Sequence, residues 1–550
     1  MPEKEWSLPA VLDVVTEAAP DRDMLVWAST RRSFAEVQRR TRRLAAFLHQ
    51  RGLGVQQEHA ELERWECGQS KVAILLTNCP AYLETMIASY RARIVPYNVN
   101  HHYNPREVAS LLAQIGADAV VYHRRLAPLL AEADLAGRVL LHVDDDSDVP
   151  PLEGSVVTEE ALASGTDEAT LPAPSPEDRY LVCTGGTTGK PKGVLWRQAD
   201  AYVSAMGGIE GATTEQITAV ASQGAGVWFA APPLMHAAAQ WTAFASLHNG
   251  GTVVLHDDAR PFDARSILET AERERVTLMT MVGDAYARPI VEELRRRPYD
   301  LSSLATIGTG GAFTSQRLKH DLLELLPHLT VTDGYGASET GGMAFGASRK
   351  GDETRRFTLS AGATVLSGDR SRFLEPGDDE IGWTARAGRV PMGYLDDRES
   401  TEQTFPIIDG RRVSVPGDRA RYERDGTVTV LGRDSMVVNT GGEKVFVEEV
   451  EEVIRRHPDV VDALVVGRPS ERFGQEVVAL VQLRDGVSLT PRAIRDFAAQ
   501  SVARFKAPQA ALVCDRIGRH PSGKADYSWA REAALGAAPA TDDEVIAPLG

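Results

Sequence analysis

The stretch Tyr180-Leu-Val-Cys-Thr-Gly-Gly-Thr-Thr-Gly-Lys-Pro-Lys-Gly-Val194 decides how this chain is read. Its apolar start has the character of a strand, and it delivers the chain into a loop with glycines at 185, 186, 189 and 193. Glycines let successive backbone N–H groups converge on an anion. Thr184, Thr187 and Thr188 add hydroxyl donors, and Lys190 and Lys192 add positive charge. The loop is not a Walker A motif, because Thr184 stands where the first glycine belongs and Pro191 where Ser or Thr belongs. A glycine-rich turn alone is weak evidence. The threonines, lysines and proline at this spacing make an anion cradle the better reading.

Outward from this loop, the pattern is strand alternating with helix. Residues 9–55 read as helix, turn, short strand and helix; Lys71–Leu76 as a strand; a helix begins near Ala81. Arg93–Val99 reads as a strand, Pro105–Ile115 as a helix and Ala117–Tyr122 as a strand, and the alternation returns over 251–298. Such alternation predicts parallel sheets covered by helices. Residues 144–178, rich in Asp, Pro, Ser and Glu, are expected to be a loop or linker, and 345–380 a strand-poor, irregular part. Beyond Gly432 the order helix, strand, strand, helix marks a compact α+β unit of about 110 residues. The Ala/Pro/Asp-rich end is expected to be disordered.

Composition narrows the class. A chain of 550 residues exceeds what one core usually serves. A net charge of −17 argues against nucleic-acid binding and against a polybasic membrane anchor. No apolar run approaches the ~20 residues of a membrane span, and Met1-Pro-Glu-Lys-Glu-Trp6 lacks the pattern of a secretory signal. Cys67, Cys79, Cys183 and Cys514 are too scattered for a disulfide framework or a zinc site, so a cytoplasmic location is expected. Only nine of the 60 basic residues are lysines, yet Lys190, Lys192, Lys444 and Lys524 fall in glycine-rich segments. Lysine and arginine are not interchangeable where a compact, flexible charge must reach a phosphate.

Further segments carry chemistry. They are Gly310-Gly-Ala312 after an apolar strand, Thr332-Asp-Gly-Tyr-Gly-Ala-Ser-Glu-Thr-Gly341, Val415-Pro-Gly-Asp418, Gly432-Arg433, Thr440-Gly-Gly-Glu-Lys-Val445 and His520-Pro-Ser-Gly-Lys524. Each alone could be a turn. Together and in this order, the chain resembles the adenylate-forming superfamily of acyl-CoA synthetases, peptide-synthetase adenylation domains and luciferases. Within it, Cys183–Gly189, Trp196-Arg197 and Gly442-Glu-Lys-Val resemble the bacterial branch that activates fatty and sterol side-chain acids.

The resemblance implies an α/β fold: a large N-terminal AMP-binding domain (1–434) of helix-covered sheets plus a β-barrel-like part, a small mobile α+β domain (435–535) and a tail (536–550). It implies that Thr184, Gly185, Gly186, Thr187, Thr188, Gly189 and Lys192 cradle ATP phosphates. Asp333, Tyr335 and Gly336, with Gly310, Gly311 and Ala312, would line the adenine, and Ser338 would meet the α-phosphate. Glu339 would bind Mg²⁺, Asp418 the ribose hydroxyls, and Arg433 the ribose and α-phosphate. Gly441 and Gly442 would admit the pantetheine of coenzyme A, with Ser435 as hinge. Lys524, Thr187, Glu339 and Arg433 are the implied catalytic residues. His236, Trp241 and Gly310 would face the acid; by its residues alone, Ala237–Ala239 reads either as plain helix or as small residues that leave room for a bulky acyl group. Gly185 replaces a family Ser, Ser338 a family Thr, and Met436 stands where many relatives carry Asp.

The expected activity is ATP-dependent acyl-CoA synthesis through acyl-AMP, with a small carboxylic acid, ATP and CoA as partners. No nucleic acid and no integral membrane association are expected, and a homodimer stays open. The alternatives are an enzyme that loads a carrier protein, a luciferase-like oxidative fate, or a non-catalytic nucleotide or acyl-AMP sensor.

Overall fold

The computed structural model describes residues 4–536 except 166–169, 185–190, 261, 313, 353–355, 441–442, 471–473, 504 and 521–522. Three sheets make up the large N-terminal part. A five-stranded parallel sheet orders Val95–Asn98, Lys71–Leu75, Ala119–His123, Val139–Val143 and Val156–Val157. Its central strand is buried on both faces: Ala119 and Val121 enter one core, Val120 and Tyr122 another. This two-sided burial is why the strand reads as a continuous apolar run rather than an alternation.

The largest sheet is half parallel and half antiparallel. Asp23–Trp27, Thr252–Leu255, Val227–Ala230, Leu278–Met281, Thr306–Thr309 and Thr330–Ala337 run parallel. From Gly341–Ser348 onward the pairing turns antiparallel, through Phe357–Leu359, Thr427–Arg433, Asp418–Tyr422 and Ile381–Ala387. Thr330–Ala337 is therefore the junction strand. A third, antiparallel sheet joins Arg179–Thr184 to Lys192–Arg197 and Gly393–Tyr394, so the glycine-rich loop is its hairpin connection.

The C-terminal α+β domain has its own sheet, in which Gly474–Leu483 pairs with Val460–Ser470, Ala510–Val513 and Val437–Thr440. Strand alternation gives it two cores. Ala463, Val465, Val477 and Ala479 pack with helices Val447–Arg455 and Pro491–Ala498. Leu464, Val466, Val478 and Leu480 pack with Ala530 and Ala534 of helix Tyr527–Gly536.

Several helix ends follow local rules. Pro105–Ile115 opens on an Asn104/Glu107 capping box and closes at Gly116, with φ +79°. Two sequence expectations are corrected. The 144–178 segment holds a strand, Val156–Val157, and a helix, Thr158–Ser164, with Ala161 and Leu162 in the main core. At seven residues, that helix is too short to display a period. The 345–380 segment contains Phe357–Leu359 and Ala363–Leu366 and the end of Gly341–Ser348. Its strands are set by ladder partners rather than by local propensity. The last helix reaches Gly536, and the remainder of the expected tail lies outside the described residues. Among those residues no helix is long and apolar enough to cross a membrane.

Candidate active site

The parallel strands of the large sheet end beside one another, and open parallel sheets bind ligands outside such carboxyl ends. Gly310 and Gly311 follow Thr306–Thr309, and Val282 follows Leu278–Met281. His236 is the residue before helix Ala237–His248. Gly311 has φ +74°, and a Cβ on Gly310 would press to 3.2 Å from the Gly334 carbonyl oxygen. That crowding keeps the 310 position small.

Asp333 and Tyr335 stand two residues apart on the junction strand, on one face of it. Asp333 is paired with Lys319 of helix Gln316–Leu325, Nζ to Oδ2 2.8 Å, and Lys319 is only 3% exposed. Burial pushes the Asp333 carboxyl upward, while Lys319 opposes that shift. The Tyr335 hydroxyl donates to Asp418 Oδ2 at 2.6 Å and lies 2.9 Å from Thr384 Oγ1. Asp418 and Arg433 are direct cross-strand partners, with Arg433 Nε 3.4 Å from Asp418 Oδ1. Residues 98 positions apart in the chain, Tyr335 and Arg433, thus meet at one carboxylate because sheet register puts them there.

Ser338 and Glu339 lie in the tight connection between Thr330–Ala337 and Gly341–Ser348. The Ser338 carbonyl accepts from Trp196 Nε1 at 3.0 Å, and the Glu339 carbonyl from Ser414 Oγ at 2.6 Å. The Glu339 side chain accepts from the Tyr394 hydroxyl at 2.8 Å. Among the described residues no group of three or more His, Cys, Asp or Glu could hold a metal ion. The donor set instead fits Mg²⁺, which is usually bound through one or two carboxylates plus substrate phosphates.

The C-terminal domain brings Lys524 to this cleft. Lys524 is exposed to solvent. Partial desolvation by the protein around it and the Arg433 charge pull its ammonium below lysine's ordinary range, and Glu339 opposes the shift. His236 senses Lys524 in turn: burial, Lys524 and His102 lower its imidazole to about 4, which keeps it neutral. Its Nε2 is buried without a hydrogen-bond partner among the described residues. Gly523 sits against Val282 and Ala285, and Arg288 Nη2 donates to the Val461 carbonyl at 2.6 Å across the domain boundary.

The structure therefore links Asp418 with Tyr335 and Arg433 directly, keeps Asp333 on the same strand face as Tyr335, and puts Lys524 within electrostatic reach of Arg433, Glu339 and His236. Other expected residues fall differently. Lys192 Nζ donates to Ser400 Oγ at 2.7 Å and lies 4.7 Å from the centre of the Tyr394 ring. Trp241 is half-buried against the main core. Gly185, Gly186, Thr187, Thr188, Gly189, Gly441 and Gly442 lie outside the described residues, as does the side chain of Ser435 in the turn Asp434–Met436. Sequence reading missed Lys319, Tyr394 and Glu448. Lysine scarcity is a signal that could have singled out Lys319.

Residues 12–380 match the model of the AMP-binding enzyme family, and residues 449–524 match the AMP-binding enzyme C-terminal domain. The chain belongs to the AMP-binding enzyme family. This AMP-binding enzyme is 42% identical over 541 residues to the medium-chain acyl-CoA ligase Mig of Mycobacterium avium, covering 96% of this chain and 98% of the relative. It is 37% identical to the 3-oxocholest-4-en-26-oate–CoA ligase of Rhodococcus rhodochrous, covering 95% of each. Its fold is shared with the anthranilate CoA ligase AuaEII in complex with anthranoyl-AMP, at TM-score 0.81 and 19% identity, covering 97% and 98%.

Proposed function

We propose that this AMP-binding enzyme is an ATP-dependent acyl-CoA synthetase acting on medium- to long-chain or steroid side-chain carboxylic acids. The observation that carries the reading is the docking of the Lys524 turn on the large domain, Gly523 against Val282 and Ala285, which puts Lys524 within electrostatic reach of Glu339, Arg433 and His236. The relatives named for medium-chain acids and for 3-oxocholest-4-en-26-oate support the substrate class.

In the first half-reaction a carboxylate oxygen attacks the α-phosphorus of ATP and pyrophosphate leaves. Asp333 and Tyr335 orient the adenine face, and Asp418 accepts from the ribose hydroxyls. Arg433 and Lys524 offset negative charge as it builds between attacking and leaving oxygens. The neutral His236 leaves the positive charge at this centre to them. Glu339 would hold Mg²⁺, which supplies charge neutralisation at the phosphate oxygens. In the second half-reaction the CoA thiol attacks the acyl carbonyl, AMP departs, and the thiol proton passes to water or to AMP. No protein nucleophile is needed, so positioning and electrostatics supply the rate.

The test is pyrophosphate release with Mg²⁺, ATP and a panel of acids, with and without CoA. A single turnover of acyl-AMP without CoA is expected, with steroidal and medium-chain acids ahead of acetate in kcat/KM. Acetate or an amino acid as best substrate overturns the substrate class. Absence of CoA-independent acyl-AMP overturns the two-step reaction.

A further inference from the structure

Lys524 stands on a turn, not on a helix or strand. Gly523 before it has φ +78°, and the turn closes on itself: Gly523 N donates to the His520 carbonyl at 2.8 Å, and His520 N to the Lys524 carbonyl at 2.9 Å.

Arg519 ties it down. Its Nη1 donates to the Gly523 carbonyl at 3.0 Å, while Nε and Nη2 donate to Asp462 Oδ2 at 3.0 and 2.6 Å. Asp462, 7% exposed, is itself fixed in strand Val460–Ser470. Its Oδ1 accepts from Arg455 Nε at 3.1 Å and from the Ala463 amide at 2.8 Å. Burial opposes the Asp462 charge, but Arg455 and Arg519 outweigh it and hold the carboxyl below its ordinary range. Arg455 continues the chain of contacts to Glu451 Oε2 at 3.0 Å and the Ala463 carbonyl at 2.7 Å. The linkage thus runs from helix Val447–Arg455, through the edge strand Val460–Ser470, to the peptide bond joining Gly523 to Lys524. A guanidinium can do this because its planar fork serves a carboxylate and a carbonyl at once, which an ammonium cannot reproduce.

We propose that Arg519 is a positioning residue: by clamping the Gly523 carbonyl to Asp462, it sets the reach of Lys524 into the cleft. The inference rests on the role proposed above for Lys524, and Arg519 acts only through it. It serves the first half-reaction and not the second.

The experiment compares Arg519→Met, Arg519→Lys, Lys524→Ala and the Arg519→Met/Lys524→Ala pair. Each full-length variant is assayed for single-turnover acyl-AMP formation and, separately, for thioester formation from supplied acyl-AMP and CoA. Misplacement by 1 Å can cost about 10²-fold, so Arg519→Met is expected to slow acyl-AMP formation by about 10- to 10²-fold. Thioester formation should stay within about twofold, by the same argument that Arg519 acts through Lys524 alone. Arg519→Lys should fall between Arg519→Met and the parent. Adding Arg519→Met to Lys524→Ala should cause no further loss. If Lys524→Ala is impaired while Arg519→Met is fully active, or if the pair's losses multiply, the positioning role is overturned. If Lys524→Ala itself forms acyl-AMP normally, the reading of Lys524 fails instead. Should Arg519→Met not fold, Asp462→Asn gives the same readout, since it keeps an acceptor for Arg455 and the Ala463 amide but loosens Arg519. Equal loss in both half-reactions for a folded Asp462→Asn overturns the proposal.

Discussion

Two regions meet at the cleft, and they are built on opposite plans. On one side, Tyr335, Asp418 and Arg433 stand on adjoining strands of one sheet, where register alone makes Asp418 and Arg433 partners. On the other, Lys524 stands on a turn of a separate domain, held through one arginine to one carboxylate. The first plan suits a binding frame that must keep its shape through a whole cycle. The second suits the part proposed for Lys524, a charge used in the first half-reaction and not in the second. Position fixed by a ladder is rigid; position fixed by a clamp can be withdrawn with the element that carries it.

The largest expected effect tests the withdrawable side. Lys524→Ala should slow acyl-AMP formation by about 10²–10³, the usual cost of a lost charge positioned for the transition state. It should still convert supplied acyl-AMP and CoA to thioester, which separate half-reaction assays can measure. Equal impairment of both steps would erase the distinction between the two regions.

The next effect tests the rigid side. Asp418→Ala removes the carboxylate proposed to accept from the ribose hydroxyls, and hydrogen bonds to a charged group are worth about 1.5–3 kcal/mol, while the Tyr335 hydroxyl keeps Thr384 Oγ1 at 2.9 Å. Weaker ATP binding by about 10-fold or more is expected, since each 1.4 kcal/mol is tenfold. Titration calorimetry with ATP would read it, and both half-reactions should suffer through the shared AMP moiety.

Two smaller effects lie where the regions join. Gly432 has φ +110°, and a Cβ there would collide with the Glu448 carboxyl of the C-terminal domain. Gly432→Ala should therefore disfavour the arrangement that brings in Lys524. With backbone strain of about 1–3 kcal/mol, acyl-AMP formation is expected to drop by about 10-fold, with partial recovery when Glu448→Ala is added.

Glu448 also predicts a pH dependence. Burial, aided by the charges of Glu451 and Asp418, raises its carboxyl to about 8, against hydrogen bonds from backbone amides including that of Arg433. Arg433 and Tyr527 also face it, and the Glu448 charge in turn raises the Tyr527 hydroxyl. In an arrangement that exposes Glu448, the ordinary carboxylate value of about 4.3 returns. The present arrangement then holds a proton that one exposing Glu448 would release. Its stabilising contribution is complete below about 4.3 and is lost as pH rises toward 8. Acyl-AMP formation relative to the thioester step should fall over this window in a stopped-flow pH series, and Glu448→Gln should flatten the slope.

Much of this was legible in the sequence. The helix Pro105–Ile115 carries its own capping signals, and the strands that flank the glycine-rich loop, Arg179–Thr184 and Lys192–Arg197, follow from the apolar runs on either side of it. The apolar runs Val460–Val466 and Val477–Leu483 mark the small domain's strands, and they are continuous rather than alternating because both faces are buried. The short helix Thr158–Ser164 and strands Phe357–Leu359 and Ala363–Leu366 were not legible, being held by distant partners rather than by local pattern.

By itself, the sequence determined the order of elements and the chemical types available to the cleft: a carboxylate at 339, another at 418, a lysine at 524. Only the tertiary structure decided who holds whom. That Tyr394 bonds Glu339, that Lys319 pairs with Asp333, that Glu448 abuts Gly432 and that Arg519 clamps Gly523 depend on register and on domain placement. Covalent order constrains neighbours within a turn or a strand; hydrogen bonds and ion pairs between distant segments exist only after burial has brought those segments together, and spacing along the chain does not encode them.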